Sequence, residues 1–321
     1  MIKVEQEVLS AENRIRSHIR ETPLEYSFPL SNLLGMNVYL KLENLQFTGS
    51  FKVRGALNKI MSLTKDERSR GVITASTGNH GMGVAYALKA LGEKGIVCLP
   101  EIASKQKIEM LKNYGMEIIF FGSECAQTEI HARNISQKKN TVYISPYNDP
   151  QIIGGQGTIG LELKRQLDQV DAVFIAVGGG GLISGIAGCL KESGQNTRII
   201  GCSPENSPNM HESVQAGKIV ESQDLPTLSD GTAGGMEPDA ITFALCQKYV
   251  DDWLLISEDE IKNAMKMIFD QHRLVIEGSA GVAVAGLIQS KEKLDLSKEA
   301  NVVIVICGGN VDINKFKEIV F

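Results

Sequence analysis

Lys52 is the first residue whose type and position could do chemistry. It lies within GSFKVRGA (residues 49–56), which predicts a turn that leads into an amphipathic helix. The dipole of a helix disfavours an ammonium near the helix start, so we expect a lowered pKa for Lys52 and a nucleophilic amine. The ordinary alternative is a solvated surface lysine.

Four consecutive glycines at residues 178–181 form the second segment. They follow the apolar run 171–177 and precede the helix-like LISGIAGCLKE. Backbone amides there can hold a phosphate, because glycine has no Cβ to block the anion and the helix N-terminus is partially positive. The run lacks both G-x-G-x-x-G and G-K-[ST], which disfavours a dinucleotide or ATP and leaves a smaller phosphate monoester. A flexible strand-to-helix turn is the alternative.

The third segment, STGNHG (residues 76–81), lies between the strand-like GVITA and the helix-like MGVAYALKALG. Its hydroxyls, amide and free backbone donors suit a carboxylate, and Asn79 is free to bond a ring oxygen. Helix capping by Ser76 or Thr77 is the simpler interpretation. A lone histidine such as His80 is more often structural than catalytic, and it has no partner at metal-binding spacing.

The fourth segment, CGGN (residues 307–310), follows NVVIVI, the most apolar run of the chain. Cys307 is therefore expected at the carboxyl end of a strand, where an open α/β sheet could present it to the edge of a buried ring. A small buried hydrophobic residue before a glycine turn fits the same position.

The elements that must position these segments alternate along the chain. Apolar runs and helix-like stretches follow one another from residue 36 onward, which predicts an α/β fold with mostly parallel strands. Many runs are continuously apolar, as expected for a sheet that helices cover on both faces. The runs are MNVYLKLE, GVITAS, GIVCLP, EIIFF, VYIS, DAVFIAV, TRIIGCS and NVVIVIC. The close spacing between residues 94 and 144 indicates a separate small lobe.

The composition is that of an ordinary globular protein. The 321 residues are 43% hydrophobic and 22% charged, with a net charge of -5, which disfavours nucleic-acid binding. No apolar run reaches the roughly 18 residues of a membrane span, and the charged start lacks a signal peptide, so we expect a cytoplasmic protein. The cysteines at 98, 125, 189, 202, 246 and 307 include no C-x-x-C pair. This predicts buried, reduced thiols rather than a zinc site or disulfides.

Together the four segments resemble the tryptophan-synthase-like group of pyridoxal-phosphate enzymes, also called fold type II. The likeness is strongest to threonine and serine dehydratases and to serine racemases. It covers nearly the whole chain through RETPL, KLENLQFTGSFKVRGA, STGNHG, GGQGTIGLE, VGGGGLISG, IEGSAG and CGGN.

The resemblance implies two α/β domains, each a parallel sheet between helix layers. The large, discontinuous domain would comprise residues 1–65 and 146–321, and the small domain residues 66–145. The chain ends soon after CGGN, so we expect no C-terminal regulatory domain. The implied cofactor is pyridoxal 5'-phosphate.

The resemblance also implies roles for single residues. Lys52 would attach the cofactor and remove the Cα proton, and Thr77 would be the second catalytic residue, with its hydroxyl at the opposite face of the substrate. The other cofactor contacts implied are Phe51, Asn79 at the ring hydroxyl, Gly178, Gly179, Gly180, Gly181 and Leu182 at the phosphate, Glu277, and Cys307 at the pyridine nitrogen. The substrate contacts implied are Ser76, Thr77, Gly78, Asn79 and His80.

These roles favour a dehydratase, an enzyme that converts L-threonine or L-serine to a 2-oxo acid and ammonia by α,β-elimination. A ring nitrogen that faces a thiol instead of an aspartate makes a weaker electron sink, which favours loss of a β-group. Serine racemase is the main alternative. Racemases that resemble this chain have a serine where Thr77 stands, and many dehydratases have an alanine.

Other activities fit the chain less well. A synthase of the cysteine-synthase kind normally has threonine where His80 stands, and a binding protein with a dead site would lose Lys52. A nicotinamide dehydrogenase would require the missing G-x-G-x-x-G turn. The segment TAGGMEPDAITF is expected to line the substrate pocket. Because it departs from the common dehydratase pattern, 3-hydroxyaspartate or a hydroxyectoine-derived compound is a further candidate substrate.

Relatives hold a divalent cation with carboxylates at positions matching Ser203 and Asn209. Uncharged side chains compensate poorly for dehydration of Mg²⁺, so we expect a monovalent ion or none, unless Glu205 supplies a carboxylate in a shifted register. Asp230 and Glu277 match positions near the cofactor, although a solvated or loop-capping role would also suit acidic residues. Relatives are commonly dimers or tetramers, and we expect a homodimer.

Overall fold

Two β-sheets organise the chain in the computed structural model, which describes residues 2–291 and 296–320, without the side chains of Gln106 and Cys125. The described residues form ten strands, numbered in chain order. They are β1 Leu24–Tyr26, β2 Asn37–Leu42, β3 Val72–Ala75, β4 Gly95–Leu99, β5 Glu117–Phe120, β6 Val142–Tyr143, β7 Ala172–Ala176, β8 Arg198–Pro204, β9 Asp252–Ile256 and β10 Asn301–Ile306.

The larger sheet has the order β1-β2-β10-β7-β8-β9, and the smaller sheet has the order β5-β4-β3-β6. All neighbouring strands are parallel except β1, which runs antiparallel to β2. The predicted fold class is therefore confirmed. The eight predicted runs all contain strands, whereas the short edge strand β1 and the edge strand β9 were not among them.

Helices cover both faces of the two sheets. The described residues form α1 Val4–Ile15, α2 Phe28–Leu34, α3 Lys52–Ser62, α4 Lys65–Ser69, α5 Asn79–Ala90, α6 Lys105–Asn113, α7 Cys125–Lys139, α8 Pro150–Gln166, α9 Gly181–Glu192, α10 Asn209–Ala216, α11 Ile241–Tyr249, α12 Glu258–His272, α13 Gly278–Gln289 and α14 Ile313–Val320. The central strands β7 and β10 are buried along almost their whole length, as expected for strands between two helix layers.

The direction of strand addition reverses once in each sheet. From β7 the chain continues outward to β8, whereas β10 pairs with the opposite edge of β7. From β3 it continues to β4, whereas β6 pairs with the opposite edge of β3. Open α/β sheets bind ligands at the carboxyl ends of strands beside such a reversal. The segments that follow β7, β10, β3 and β6 are therefore the expected place for a ligand.

The smaller sheet takes all its strands from Val72 to Tyr143, within the predicted small domain. The domain boundaries themselves stay predictions. As predicted, five cysteines are free and buried, and the side chain of Cys125 lies outside the described residues. The five are Cys98, Cys189, Cys202, Cys246 and Cys307. In the part of the chain that the structure describes, no helix is both long and apolar enough to cross a membrane.

A fully buried group of charges connects helix α3 to the rest of the larger sheet. Arg54, in the first turn of α3, donates to both oxygens of Glu43 at 2.7 and 2.8 Å, and to both oxygens of Glu162 at 2.7 and 2.9 Å. Lys41 of β2 also donates to Glu162. Burial alone would raise the pKa of Glu162, but Arg54 and Lys41 hold that pKa well below its usual value.

Removing the Glu162 carboxylate should destabilise the fold strongly. We expect Glu162→Gln to lower the free energy of unfolding by about 3–5 kcal/mol, because two buried cations lose a counter-charge. Urea denaturation measures the change. The control, Arg70→Gln, removes an exposed ion pair with Asp66 and should change the free energy by less than about 1 kcal/mol. Similar losses in both variants would contradict this account of the buried charges.

Candidate active site

The loop before helix α3 is paired with the segment that follows β10. Phe51 N–H donates to the Cys307 carbonyl at 3.1 Å, and Gly309 N–H donates to the Gly49 carbonyl at 2.9 Å. Gly49 has a φ of +71°, and a Cβ there would lie 2.5 Å from the Asn310 Oδ1 atom. This close approach brings the start of α3, and with it Lys52, beside Cys307.

Lys52 is partly buried, and its Nζ donates to the Pro146 carbonyl at 2.9 Å. Burial lowers the pKa of Lys52 to about 8, although Cys307 and Glu277 favour the charged form. The predicted direction is confirmed, but the cause is desolvation rather than the helix dipole invoked from the sequence. The alternative of a solvated surface lysine is wrong.

The four glycines connect β7 to α9 in a tight turn. Gly180 has a φ of +82° and caps the helix with no side chain, so the amides of its first turn lie open to an anion. A Cβ on Gly178 would lie 2.7 Å from the Thr232 carbonyl oxygen, and one on Gly179 would lie 2.5 Å from the Tyr147 ring. Glycine is therefore required sterically at both positions, and this turn can hold a phosphate.

Asn79 belongs to a group of side chains that joins the two sheets. Its Nδ2 donates to both oxygens of Glu277 at 2.9 Å, and its Oδ1 accepts from Asn310 Nδ2 at 2.8 Å. Asn310 also donates to the Thr48 carbonyl at 2.8 Å. Asn79 begins α5 beside the smaller sheet, whereas Glu277 and Asn310 belong to the larger-sheet side. The geometry therefore brings segments that are distant in the sequence to one point.

Glu277 is only 4% exposed, so a solvated role is excluded. Burial raises its pKa to about 7 even though Asn79 favours the ionised form. Cys307 Sγ lies 3.9 Å from Glu277 Oε1, and burial together with this carboxylate keeps the pKa of Cys307 well above its usual value. The thiol at the end of β10 is therefore neutral near pH 7.

The loop after β3 contains the predicted substrate contacts. Ser76 Oγ accepts from Gly78 N–H at 3.1 Å, and a Cβ on Gly78 would meet nothing within 4 Å. Thr77 is partly buried within this open turn. His80 is buried, and its Nε2 lies 3.0 Å from the Ile144 carbonyl. Burial and then Lys52 lower the pKa of His80 to about 3, so its imidazole is neutral.

Ser203, near the end of β8, and Asn209, at the start of α10, have their side chains engaged within the protein, whereas Glu205 between them is exposed. Ser203 Oγ donates to the Val177 carbonyl at 3.2 Å, and Asn209 Nδ2 donates to Asp224 at 2.8 Å. Asp230 is exposed. Among the described residues, no group of three or more His, Cys, Asp or Glu side chains could hold a metal ion. The expectation of a monovalent ion at this segment stays a prediction.

Sequence reasoning did not assign four residues that the structure places here. Pro146 and Tyr147 follow β6, Asn310 bridges Asn79 and Thr48, and Glu237 accepts from Asn148 Nδ2 at 2.9 Å. Asn310 lay within the CGGN motif, and its type could have indicated it. Glu237 lay within TAGGMEPDAITF, the segment expected to line the pocket, whereas nothing local marks Pro146 and Tyr147, which follow β6.

The chain matches known proteins over almost its whole length. The family described as pyridoxal-phosphate dependent enzyme matches residues 15–308. An L-threonine ammonia-lyase of Thermotoga maritima is 41% identical over 98% of this chain and 77% of its own length. The solved structure of a processed threonine deaminase isoform 2 from Solanum lycopersicum is 36% identical, with a TM-score of 0.93 over 99% of this chain and 92% of that chain. Maize serine racemase is 30% identical, with a TM-score of 0.92 over 98% and 95%.

The fold and the site define an enzyme that holds a phosphate-bearing ring between two sheets, and the chain belongs to the pyridoxal-phosphate-dependent enzymes. Its residues fit this cofactor. An uncapped glycine turn and a neutral thiol follow the neighbouring strands β7 and β10, and an amine of lowered pKa begins α3 beside that thiol. The buried Ser50 Oγ next to Lys52 has no hydrogen-bond partner among the described residues, which leaves a polar contact for a bound group.

Covalent capture of pyridoxal phosphate by the cofactor-free protein should follow the titration of Lys52. Only the neutral amine attacks an aldehyde, so the capture rate should rise with pH and reach half its maximum near pH 8. Borohydride reduction followed by intact mass measurement reports the capture. Lys52→Ala should abolish it, and Lys89→Ala, which changes an exposed lysine, should not. A midpoint near the ordinary lysine value of 10.5 would contradict the effect of burial.

Glu277 should make the cofactor-free protein less stable as the pH rises. The folded state keeps its proton up to about pH 7, whereas the unfolded chain releases it near 4.5, so stability is lost between these values. Glu277→Gln removes this loss. The difference in free energy of unfolding, variant minus wild type, should therefore grow by on the order of 3 kcal/mol from pH 4.5 to 7. A constant difference in urea titrations would mean that Glu277 has the same pKa in the folded and the unfolded chain, and would contradict the effect of burial.

Proposed function

We propose that this enzyme removes water and then ammonia from L-threonine or L-serine, giving a 2-oxo acid. The observation that carries the proposal is the position of Lys52, an amine of lowered pKa, beside the neutral thiol of Cys307, which follows β10 at the reversal of the larger sheet. It is supported by the similarity to the L-threonine ammonia-lyase of Thermotoga maritima and to the tomato threonine deaminase, which both act on threonine.

Lys52 is the residue to attach the cofactor and to take the Cα proton of the substrate. Bound pyridoxal phosphate supplies an electron-poor ring that makes this proton removable. With a pKa of about 8, a useful fraction of the Lys52 amine is neutral near physiological pH, and a base is most effective when its pKa lies near the working pH. The Pro146 carbonyl holds the amine in place.

Cys307 decides the preference for elimination in this proposal. A neutral thiol opposite the ring nitrogen does not force a proton onto it, as an aspartate would. A ring bound in this way would stabilise negative charge at Cα poorly, which would favour loss of the β-hydroxyl together with the Cα proton, as water. Water adds back to the released product, so that the balance is one amino acid to one 2-oxo acid and one ammonia.

The remaining predicted contacts divide into two groups. Amides at Gly178, Gly179, Gly180, Gly181 and Leu182 hold the phosphate at the N-terminus of α9. The turn that contains Ser76, Thr77, Gly78 and the start of α5 binds the substrate carboxylate. Asn79 orients the ring edge from its contacts with Glu277, and Phe51 packs beside Lys52. Because its imidazole is buried and bonded to the backbone, His80 contributes its main chain rather than its ring.

Serine racemisation is a second candidate. Thr77 supplies a hydroxyl in an open turn, where a racemase needs an acid or base on the face opposite Lys52. The similarity to maize serine racemase favours this possibility. The β-branched Thr77 has fewer rotamers than a serine, so we rank elimination first.

Three further properties belong to the proposal. We infer a cytoplasmic enzyme, because five buried cysteines are free in the described part of the chain, as suits a reducing compartment. We also infer a homodimer, and turnover of L-serine as well as L-threonine. A monovalent cation near Ser203 and Asn209 stays a prediction.

Formation of 2-oxo acid tests the function directly. We expect the purified holoenzyme to convert L-threonine or L-serine, and Lys52→Ala to lower kcat at least about 10³-fold, because it removes both the cofactor link and the base. Absorption by the bound cofactor is recorded in parallel with oxo acid.

The substrate panel also contains D-serine and DL-threo-3-hydroxyaspartate. If 3-hydroxyaspartate is the only compound that yields an oxo acid, the proposed reaction stands and its substrate becomes 3-hydroxyaspartate. Release of D-serine from L-serine without oxo acid would transfer the assignment to a racemase. A bound cofactor with no product from any compound would contradict the dehydratase proposal.

A further inference from the structure

Residues 230–242 run along one side of the glycine turn. Close to one end of this segment, the Thr232 carbonyl lies against Gly178, where a Cβ would approach it to 2.7 Å. At the other end, Thr242 Oγ1 donates to the Gly179 carbonyl at 2.7 Å. Between these contacts, Glu237 N–H donates to the hydroxyl of Tyr147 at 2.7 Å. The segment therefore forms a wall of the candidate active site.

The middle of this wall is held from the smaller-sheet side. Arg133 Nη2 lies 2.6 Å from Glu237 Oε1, and the two side chains are only 34% and 19% exposed. Arg133 belongs to α7, which packs against β3, β4 and β6. Its guanidinium also stacks on the Tyr143 ring at 4.2 Å and pairs with Glu129 one turn earlier. The Tyr143 ring, on β6, thus holds the Arg133 guanidinium on the smaller-sheet side without need of Glu129.

Glu237 is in turn set by residues that follow β6. Its Oε2 accepts from Asn148 Nδ2 at 2.9 Å, and its Oε1 accepts from Ser145 Oγ at 3.3 Å. These residues flank Pro146, whose carbonyl holds Lys52 Nζ. The carboxylate of Glu237 therefore connects three parts of the molecule: the wall segment, the strand end beside Lys52, and helix α7.

We infer that the Arg133–Glu237 ion pair holds residues 230–242 against the smaller-sheet side and so keeps the substrate pocket closed, which makes Glu237 a positioning residue. Ala233, Gly234 and Gly235 are exposed, and a Cβ on either glycine would meet nothing within 4 Å. Hydrogen bonds tie Gly234 to Ser207 and Asn209 on the larger-sheet side, at 3.2 Å each. The segment contacts the smaller-sheet side at Glu237. The inference rests on the proposed function for its substrate and deepens it.

The pair should affect substrate binding more than the chemical step. If only molecules with a closed wall bind substrate, the apparent affinity falls in proportion to the fraction of molecules that are closed. Saturating substrate then restores the closed form, and the reacting groups around Lys52 are unchanged. Loss of the pair should therefore raise KM and leave kcat nearly constant.

The test is a double-mutant cycle on the holoenzyme with Glu237→Gln and Arg133→Gln. We expect each single variant to raise KM about tenfold with kcat within about twofold, and the double variant to be no worse than the worse single variant. Arg133→Lys should recover part of the affinity. The matched control is Glu129→Gln, which removes the other carboxylate of Arg133 within α7 and should leave KM unchanged.

Hydrogen–deuterium exchange supplies a readout that does not need turnover. Amides of residues 232–240 should exchange about tenfold faster in Glu237→Gln and Arg133→Gln than in wild type or Glu129→Gln, with no substrate added. A fall in kcat at constant KM, additive effects in the double variant, or unchanged exchange would overturn the inference. If wild type converts no β-hydroxy amino acid, the proposed function fails, and the exchange result alone decides whether the pair holds the wall.

Discussion

The buried guanidinium of Arg54 is the interaction on which the geometry of the active site depends. It lies two residues after Lys52 in the same helical turn and is bonded at once to Glu43, after β2, and to Glu162 of α8. A buried charge must keep its partners, because removal of one partner of a buried ion pair destabilises the fold by far more free energy than formation of the pair contributes. The direction in which Lys52 leaves the helix is thus fixed by groups that take no part in the chemistry.

The strand ends beside the order reversals of the two sheets lie on the two sides of this site. The glycine turn and Cys307 follow neighbouring strands of one sheet, and the Ser76 turn and Pro146 follow neighbouring strands of the other. Asn79 and Asn310 join the two sides through their amide groups.

Exclusion of water sets the electrostatics of the site. Burial is the largest cause of the altered pKa of Lys52, Glu277, His80 and Cys307, and in each case it favours the neutral form. Neutral groups are what the proposed reaction requires: an amine that can accept a proton and a thiol that does not charge the ring. The same environment shortens the list of groups that can act as acids.

The sequence by itself determined the α/β class, eight of the strands and the four segments that carry the chemistry. These features are local, since strand periodicity, a glycine run and a lysine at a helix start can be recognised within a few residues. The cause of the low pKa of Lys52, the burial of Glu277, the arrival of Tyr147 at the site and the contacts of Glu237 there were decided only by tertiary structure. Desolvation and contacts between distant segments depend on how the two sheets pack, and no short stretch of sequence contains that information.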